Sequence, residues 1–175
     1  AGCYRLEMGV ESGDDGILRD IDNLITTEQV RRAVNIIKRH KISLETYYIL
    51  GHPNETPETL RKTVDLAVEL NTDDIAVGLM VPYPGTDVYR RAKAGEDGYR
   101  LLSEDWSQYD KFGGKALELS ALTYEELSRA QRQTYLRFYL ENRRYGDLLR
   151  YVWQRRHAAA YFVRKKLSAL GRGSP

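Results

Sequence analysis

Apolar residues along this chain switch between two periodicities, and the switches predict strands and helices in turn. Tyr4 to Val10 reads as a strand that stops at Glu11, Ser12 and Gly13, and Asp14 to Ile21 has helix-compatible spacing with acidic residues in its first turn. Thr26 and Gln29 form a capping-box pattern, after which Val30, Ala33, Val34 and Ile37 recur at helical steps. They predict an amphipathic helix to about His40. Ser43 to Leu50, rich in β-branched and aromatic residues and closed by Gly51, reads as a second strand. Thr56 as N-cap and Pro57 at the first helical position open a helix whose apolar face is Leu60, Val64, Ala67 and Val68. Asp74 to Val81 reads as a third strand, apolar on both faces after its first residue, which predicts helices on both sides. Thr86 caps a short helix through Ala94, which Gly95 stops.

Strand and helix thus alternate three times, the order of repeated βα units with a parallel sheet and right-handed crossovers. The first strand is expected to leave an unpaired apolar edge that a neighbour normally covers. Loops leaving the C-terminal ends of parallel strands share one face, where ligands bind. GVESG at Gly9 to Gly13, LGHPNET at Leu50 to Thr56 and VPYPGT at Val81 to Thr86 should therefore converge on one site.

Glu96 to Leu122 lacks helical periodicity and carries Gly98, Gly113 and Gly114 among Trp106, Tyr109 and Phe112. It reads as an ordered connector pinned by aromatics, residue types that disorder depletes. Thr123 and Glu126 open a helix to about Arg144, Gly146 and Asp147 are expected to break it, and Leu148 to about Leu170 reads as further helix with a basic face. The resulting divisions are residues 1–95, 96–122 and 123–175.

Charge sharpens these divisions. A net charge of +2 conceals 12 Lys or Arg against 4 Asp or Glu in residues 123–175, and 15 against 21 in the rest, so an acidic front precedes a basic back. No apolar run approaches the roughly 20 residues that span a bilayer, and no secretion signal opens the chain, so a cytoplasmic location is expected. Cys3 is the sole cysteine. It excludes an internal disulfide, and any zinc or iron–sulfur site built from clustered thiolates of this chain.

In this order and at this spacing, the three loop segments resemble the second half of a radical S-adenosylmethionine (radical SAM) enzyme. The resemblance covers residues 1 to about 94 and, less specifically, the remainder. Gly9 to Ser12 is similar to the end of the family's fourth barrel strand, where polar side chains face the ribose and methionine part of the nucleotide. Glu11 or Ser12 would serve there, a carboxylate being able to accept from ribose hydroxyls or the ammonium. Tyr47 to Thr56 resembles the fifth-strand ending, where apolar residues and a glycine-proline turn, here Gly51 and Pro53, let backbone approach the adenine. Glu55 lies where it can accept from turn donors, although Glu55, Thr56 and Pro57 read equally as a helix start. Met80 to Tyr89 resembles the sixth-strand exit; Tyr83 offers a flat face, and Pro82 and Pro84 hold the loop extended. His52 has no second histidine or carboxylate pair at ligand spacing and is not assigned.

The nucleotide contacts so implied are Glu11, Ser12, Gly51, Pro53, Tyr83 and Pro84, none of them a nucleophile or general base. The implied fold is α/β: three βα units of an open (βα)6 partial TIM barrel with a C-terminal helical tail. The implied parent is an enzyme that reductively cleaves S-adenosylmethionine at a four-iron, four-sulfur cluster to a 5′-deoxyadenosyl radical. The family's CxxxCxxC cluster motif is absent from these residues, so the cluster ligands belong outside this chain, which alone is expected to be inactive. Cys3 is expected to be a small packed side chain. The WSQYDKF stretch and the aromatic, Arg-rich run from Tyr135 to Tyr161 resemble the C-terminal region of radical SAM proteins with an upstream cobalamin-binding domain, among them methylases and cyclases of lipid and tetrapyrrole pathways. Cobalamin is thus a further candidate cofactor. Implied partners are a small-molecule or lipid-like substrate, an N-terminal barrel half, and an electron donor such as flavodoxin or ferredoxin. The alternative is a non-catalytic half-barrel module whose basic helices bind an anionic membrane or nucleic acid; a helical lid with its arginines in water is the plainer reading of the tail.

Overall fold

Three strands lie side by side in sequence order: β1 (Arg5–Glu11), β2 (Ser43–Leu50) and β3 (Asp74–Leu79), all parallel. They belong to a computed structural model that describes residues 2–154. The chain divides into two compact units, Ala1–Phe138 and Tyr139–Pro175. In the first unit, α1 (Asp15–Asp20) and α2 (Thr27–Arg39) connect β1 to β2, and α3 (Pro57–Leu70) connects β2 to β3. The helix starts are those the sequence predicts. Thr26 caps α2 with the reciprocal Gln29 bond, and Thr56 caps α3 with Pro57 in the first turn.

Crossovers of one hand between strands in sequence order put their helices on one face of the sheet. There α2 and α3 meet through Arg31–Glu69 at 2.7 Å and through Lys38 Nζ, which donates to the Leu70 carbonyl at 2.7 Å. Leu44, Thr46, Tyr48 and Leu50 of β2 are buried at alternate positions, together with Val30, Val34, Leu60, Val64 and Ala67 from the helices. The other face is not covered by a helix among the described residues, contrary to the prediction for β3. Ala76 and Gly78 on that face are simply small, and their apolar character reflects lack of bulk rather than a second helical layer.

The two sheet edges differ. Beyond β3, Leu79 N–H donates to the Lys111 carbonyl at 2.9 Å, Val77 N–H to the Tyr135 hydroxyl at 2.9 Å, and Gln131 Nε2 to the Val77 carbonyl at 2.8 Å. Loop and side-chain groups thus satisfy the edge that another strand would otherwise fill. β1 pairs with β2 alone among the described residues, leaving the predicted open edge, and Leu6 is 38% exposed. Cys3, just before β1, is exposed rather than packed, because this edge has no neighbouring strand among the described residues to bury it.

α4 (Asp87–Ala94) ends at Gly95 in a left-handed conformation. The connector then contains an element that the sequence did not reveal, the antiparallel pair β4 (Tyr99–Leu101) and β5 (Leu117–Leu119). Its aromatic pins are specific: Tyr99 donates its hydroxyl to the Gly51 carbonyl, and Trp106 stacks on Tyr109 at 5.7 Å between ring centroids. Thr123 and Glu126 form the predicted reciprocal cap of α5 (Tyr124–Glu141). The break after α5 comes earlier than predicted. Arg143 takes a left-handed φ of 57°, and helix resumes at residue 145 with Gly146 and Asp147 in its first turn, where an acidic side chain is favourable. The remainder of the predicted Leu148–Leu170 helix, with His157, lies outside the described residues from 155 on. Among the described residues, no helix is long and apolar enough to cross a membrane.

Candidate functional site

Parallel pairing brings Glu11, Gly51 and the loop bearing Tyr83 to one rim, because each lies at or just beyond the C-terminal end of its strand. At the end of β1 the register slips: Gly9 pairs with Tyr47 but Glu11 with Tyr48, so one extra residue bulges out. Glu11 adopts a left-handed φ of 65° there. Bulges re-aim side chains, and this one turns the Glu11 carboxylate onto the uncovered face. That face borders a cavity of about 430 Å³, lined by Glu11, Tyr47, Ile49, Gly78, Lys111 and Phe112 among others. The carboxyl is half-buried with no hydrogen-bond or ion-pair partner among the described residues, and burial raises its pKa.

Ser12 points elsewhere. Its hydroxyl is fully buried, 3.2 Å from Thr63 Oγ1, and accepts from Asp14 N–H at 3.2 Å. Gly13 N–H also donates to Thr63, and a Cβ on Gly13 would fall 2.4 Å from the Lys62 carbonyl oxygen. Ser12 and Gly13 therefore lock the turn against α3, and Glu11 is the residue of the pair that faces the cavity.

The loop after β2 is held from within. Gly51 has a φ of 98°, and a Cβ there would stand 3.3 Å from Met80 and 3.5 Å from Leu127, so conformation and packing both require glycine. Glu55, 1% exposed, accepts from Gly51 N–H, with the His52 backbone nearby also favouring its charged form, while its second oxygen has no partner. Burial pushes its pKa up to about 7 against these two groups. His52 is 3% exposed and neither ring nitrogen makes a well-formed hydrogen bond; burial pushes its pKa down to about 4, opposed only by the Glu11 backbone. It is a neutral packed ring. Pro53 is buried beside it.

Tyr83 and Pro84 are exposed in the loop after β3. The Tyr83 ring lies 6.3 Å from that of Tyr109, which extends the stack formed with Trp106. Two contributors escaped the sequence reasoning. Gly9 has no visible role until the bulge is known, and Lys111 is a lone lysine in a polar loop whose place is set by long-range bonds to β3 and α5. Among the described residues no group of three or more His, Cys, Asp or Glu side chains could hold a metal ion.

No family model matches the chain. An uncharacterized methyltransferase of Pyrococcus horikoshii is 32% identical over 139 residues, covering 79% of this chain and 29% of that protein. The bacteriochlorophyllide d C-12(1)-methyltransferase of Chlorobaculum tepidum is 26% identical over 175 residues, covering 94% and 36%. The anaerobic magnesium-protoporphyrin IX monomethyl ester cyclase of Rubrivivax gelatinosus is 28% identical over 140 residues, covering 80% and 24%. The chain thus spans roughly a quarter to a third of the length of these three curated relatives. Among solved structures, coproporphyrinogen III oxidase of Escherichia coli, described as a radical SAM enzyme, aligns with a TM-score of 0.45 at 22% identity, covering 75% of this chain and 32% of that one.

Proposed function

We propose that this chain, whose resemblance to the radical SAM enzymes its relatives bear out, is the nucleotide-binding C-terminal half of such an enzyme. Its three βα units would belong to an open (βα)6 partial TIM barrel, with residues 1–95 as the barrel half, 96–122 as connector and 123–175 as a basic helical tail. The observation that carries the proposal is Glu11, an unpartnered, half-buried carboxylate that a bulge presents to a cavity at the C-terminal end of parallel strands.

The residues present fit S-adenosylmethionine. Glu11 would accept from ribose hydroxyls or the methionine ammonium, charge-assisted bonds that are strongest where water is scarce. Ser12 would act by fixing the turn that aims Glu11. Gly51 and Pro53 would set the backbone of the second loop, and Tyr83 and Pro84 would wall the adenine with a flat, stiff surface. When bound, the nucleotide supplies one-electron bond cleavage beside a reduced four-iron, four-sulfur cluster; the protein's own groups orient and shield it.

These residues do not fit the cluster. Cys3 is one exposed thiol at the sheet's open edge, so its ligands are proposed to lie in an N-terminal barrel half that would also cover β1. The names of the relatives support a methyl-transfer or cyclisation reaction on a tetrapyrrole-like substrate. Cobalamin as a second cofactor, a flavodoxin or ferredoxin as electron donor, and a cytoplasmic location complete the proposal. The coding sequence upstream of Ala1 tests it. An in-frame CxxxCxxC about 70 to 120 residues earlier, the reach of half a barrel, is expected, and a start codon at the boundary overturns it.

A further inference from the structure

We propose that Lys111 forms an anion subsite in the cavity on the uncovered face of the sheet, where it takes the carboxylate of a flat, largely apolar molecule. The inference deepens the function proposed above by naming a substrate class for the same cavity, and it rests on that reading for the identity of this face as the reaction chamber.

The Lys111 backbone is clamped. Its carbonyl accepts from Leu79 N–H at 2.9 Å and from Gln131 Nε2 at 3.1 Å, and Gln131 is itself buried. Its stem lies over Gly78, where a Cβ would meet Lys111 carbons at 3.5 and 3.6 Å. Lys111 is exposed, and its ammonium has no carboxylate partner among the described residues; it lies 5.2 Å from the centroid of the Phe112 ring. The other cations of α4 and of the connector are matched. Arg91 pairs with Asp97, Lys93 with Glu104, Arg100 with Glu118 and Lys115 with Glu125. A cation anchored through its backbone, beside a cavity and unpaired among the described residues, can take an anion from outside the chain.

The walls narrow the chemistry. Tyr47, Ile49 and Phe112 are broad and apolar, and Ala76 and Gly78 add no bulk, which leaves a slot along the sheet. A volume of about 430 Å³ lies within the range of small-molecule sites. Glu45 is neutralised by Arg5, so Glu11 is the free carboxylate of the lining. Glu11 ends β1 and Lys111 lies at β3, two strand spacings or roughly 10 Å apart, so the two serve separate groups. A single ammonium opposed by that carboxylate suits a monoanion better than a phosphate.

The test uses the 175-residue chain with 2-naphthoate as the flat carboxylate and 2-naphthamide as its neutral counterpart, titrated while the amide signals of Lys111 and Phe112 are followed by NMR. Naphthoate should shift both signals saturably and bind about tenfold or more tightly than the amide, the scale of one hydrogen bond to a charged group. Lys111→Gln should abolish the preference and Lys111→Arg should retain most of it. Both side chains point out from a clamped backbone, and amide signals remote from the loop report whether each variant keeps the fold. Equal binding of the two probes, a preference that survives Lys111→Gln, or no shift with either probe overturns the subsite. S-adenosylmethionine binding is measured separately. Its failure with naphthoate binding intact counts against the nucleotide assignment and leaves the anion subsite standing.

Discussion

The Glu11 carboxylate lies so close over Gly9 that a Cβ on Gly9 would stand 2.6 Å from Glu11 Oε1. Two residues apart on one strand, they share a face, and the bulge between them swings the longer side chain back over the shorter. Glycine here provides room for a carboxylate rather than an unusual backbone angle.

Gly9→Ala should therefore act as a displacement of Glu11. The clashing atom is the end of a flexible side chain, so stability should change by less than about 1 kcal/mol, helped by the lower strand entropy cost of alanine. In a protein extended by the proposed upstream half, S-adenosylmethionine affinity should fall with Gly9→Ala as with Glu11→Gln, by on the order of 1–3 kcal/mol for a lost polar partner. Calorimetric titration of both variants checks this; full affinity in Gly9→Ala would show that the carboxylate's position over Gly9 does not matter.

His52 and Glu55 should give opposite pH dependences of stability. Glu55 has a folded pKa of about 7 against 4.5, so the folded chain holds a proton in this interval that the unfolded chain has released; its contribution is full below 4.5 and lost as pH rises through 7. His52 has a folded pKa of about 4 against 6.5, so its contribution is full above 6.5 and lost as pH falls through 4. Each is worth on the order of 3 kcal/mol, and they nearly cancel between the two windows. Relative to the parent chain, Glu55→Gln should make stability rise more steeply with pH, and His52→Gln should make it fall. Urea midpoints across pH 4 to 7 measure the slopes, and curves that merely shift in parallel would remove both assignments.

Much of the fold was legible because its signals are local. The Thr26 and Thr56 caps, Pro57 and Gly95 each act within four residues of themselves, and each marks the boundary it predicts. The rest depends on distant partners. β4 and β5 have three residues each and are separated by a long loop, too short for alternation to show. At the site, the rim position of Glu11 follows from strand order alone, but the division of labour between Glu11 and Ser12 depends on Thr63, far along the chain in α3. Lys111 became visible only through Leu79 and Gln131.

The edge of β3 offers a test of side chains that replace a strand. Tyr135→Phe removes the acceptor for Val77 N–H in a position that is fully buried, and should cost about 1–3 kcal/mol for the unsatisfied donor. Hydrogen exchange at the Val77 amide should accelerate while that of Thr46, in the centre of the sheet, changes with global stability alone. Unchanged exchange at Val77 would mean that the edge is not held by this bond.

Anaerobic incubation of the 175-residue chain with iron and sulfide should give no stable four-iron cluster, since such clusters take Cys ligands at three or four irons and this chain offers one thiol. That thiol is exposed just before β1, on the edge where the proposed partner strand would pair, and it belongs to no group of three or more His, Cys, Asp or Glu side chains that could hold a metal among the described residues. Adding the proposed upstream half, with the cysteine triplet expected there, should restore visible absorption and bound iron, and Cys3→Ser in that longer protein should leave both unchanged. Iron and absorption retained by the chain alone, and lost with Cys3→Ser, would place cluster ligation in this half and overturn the division of labour proposed here.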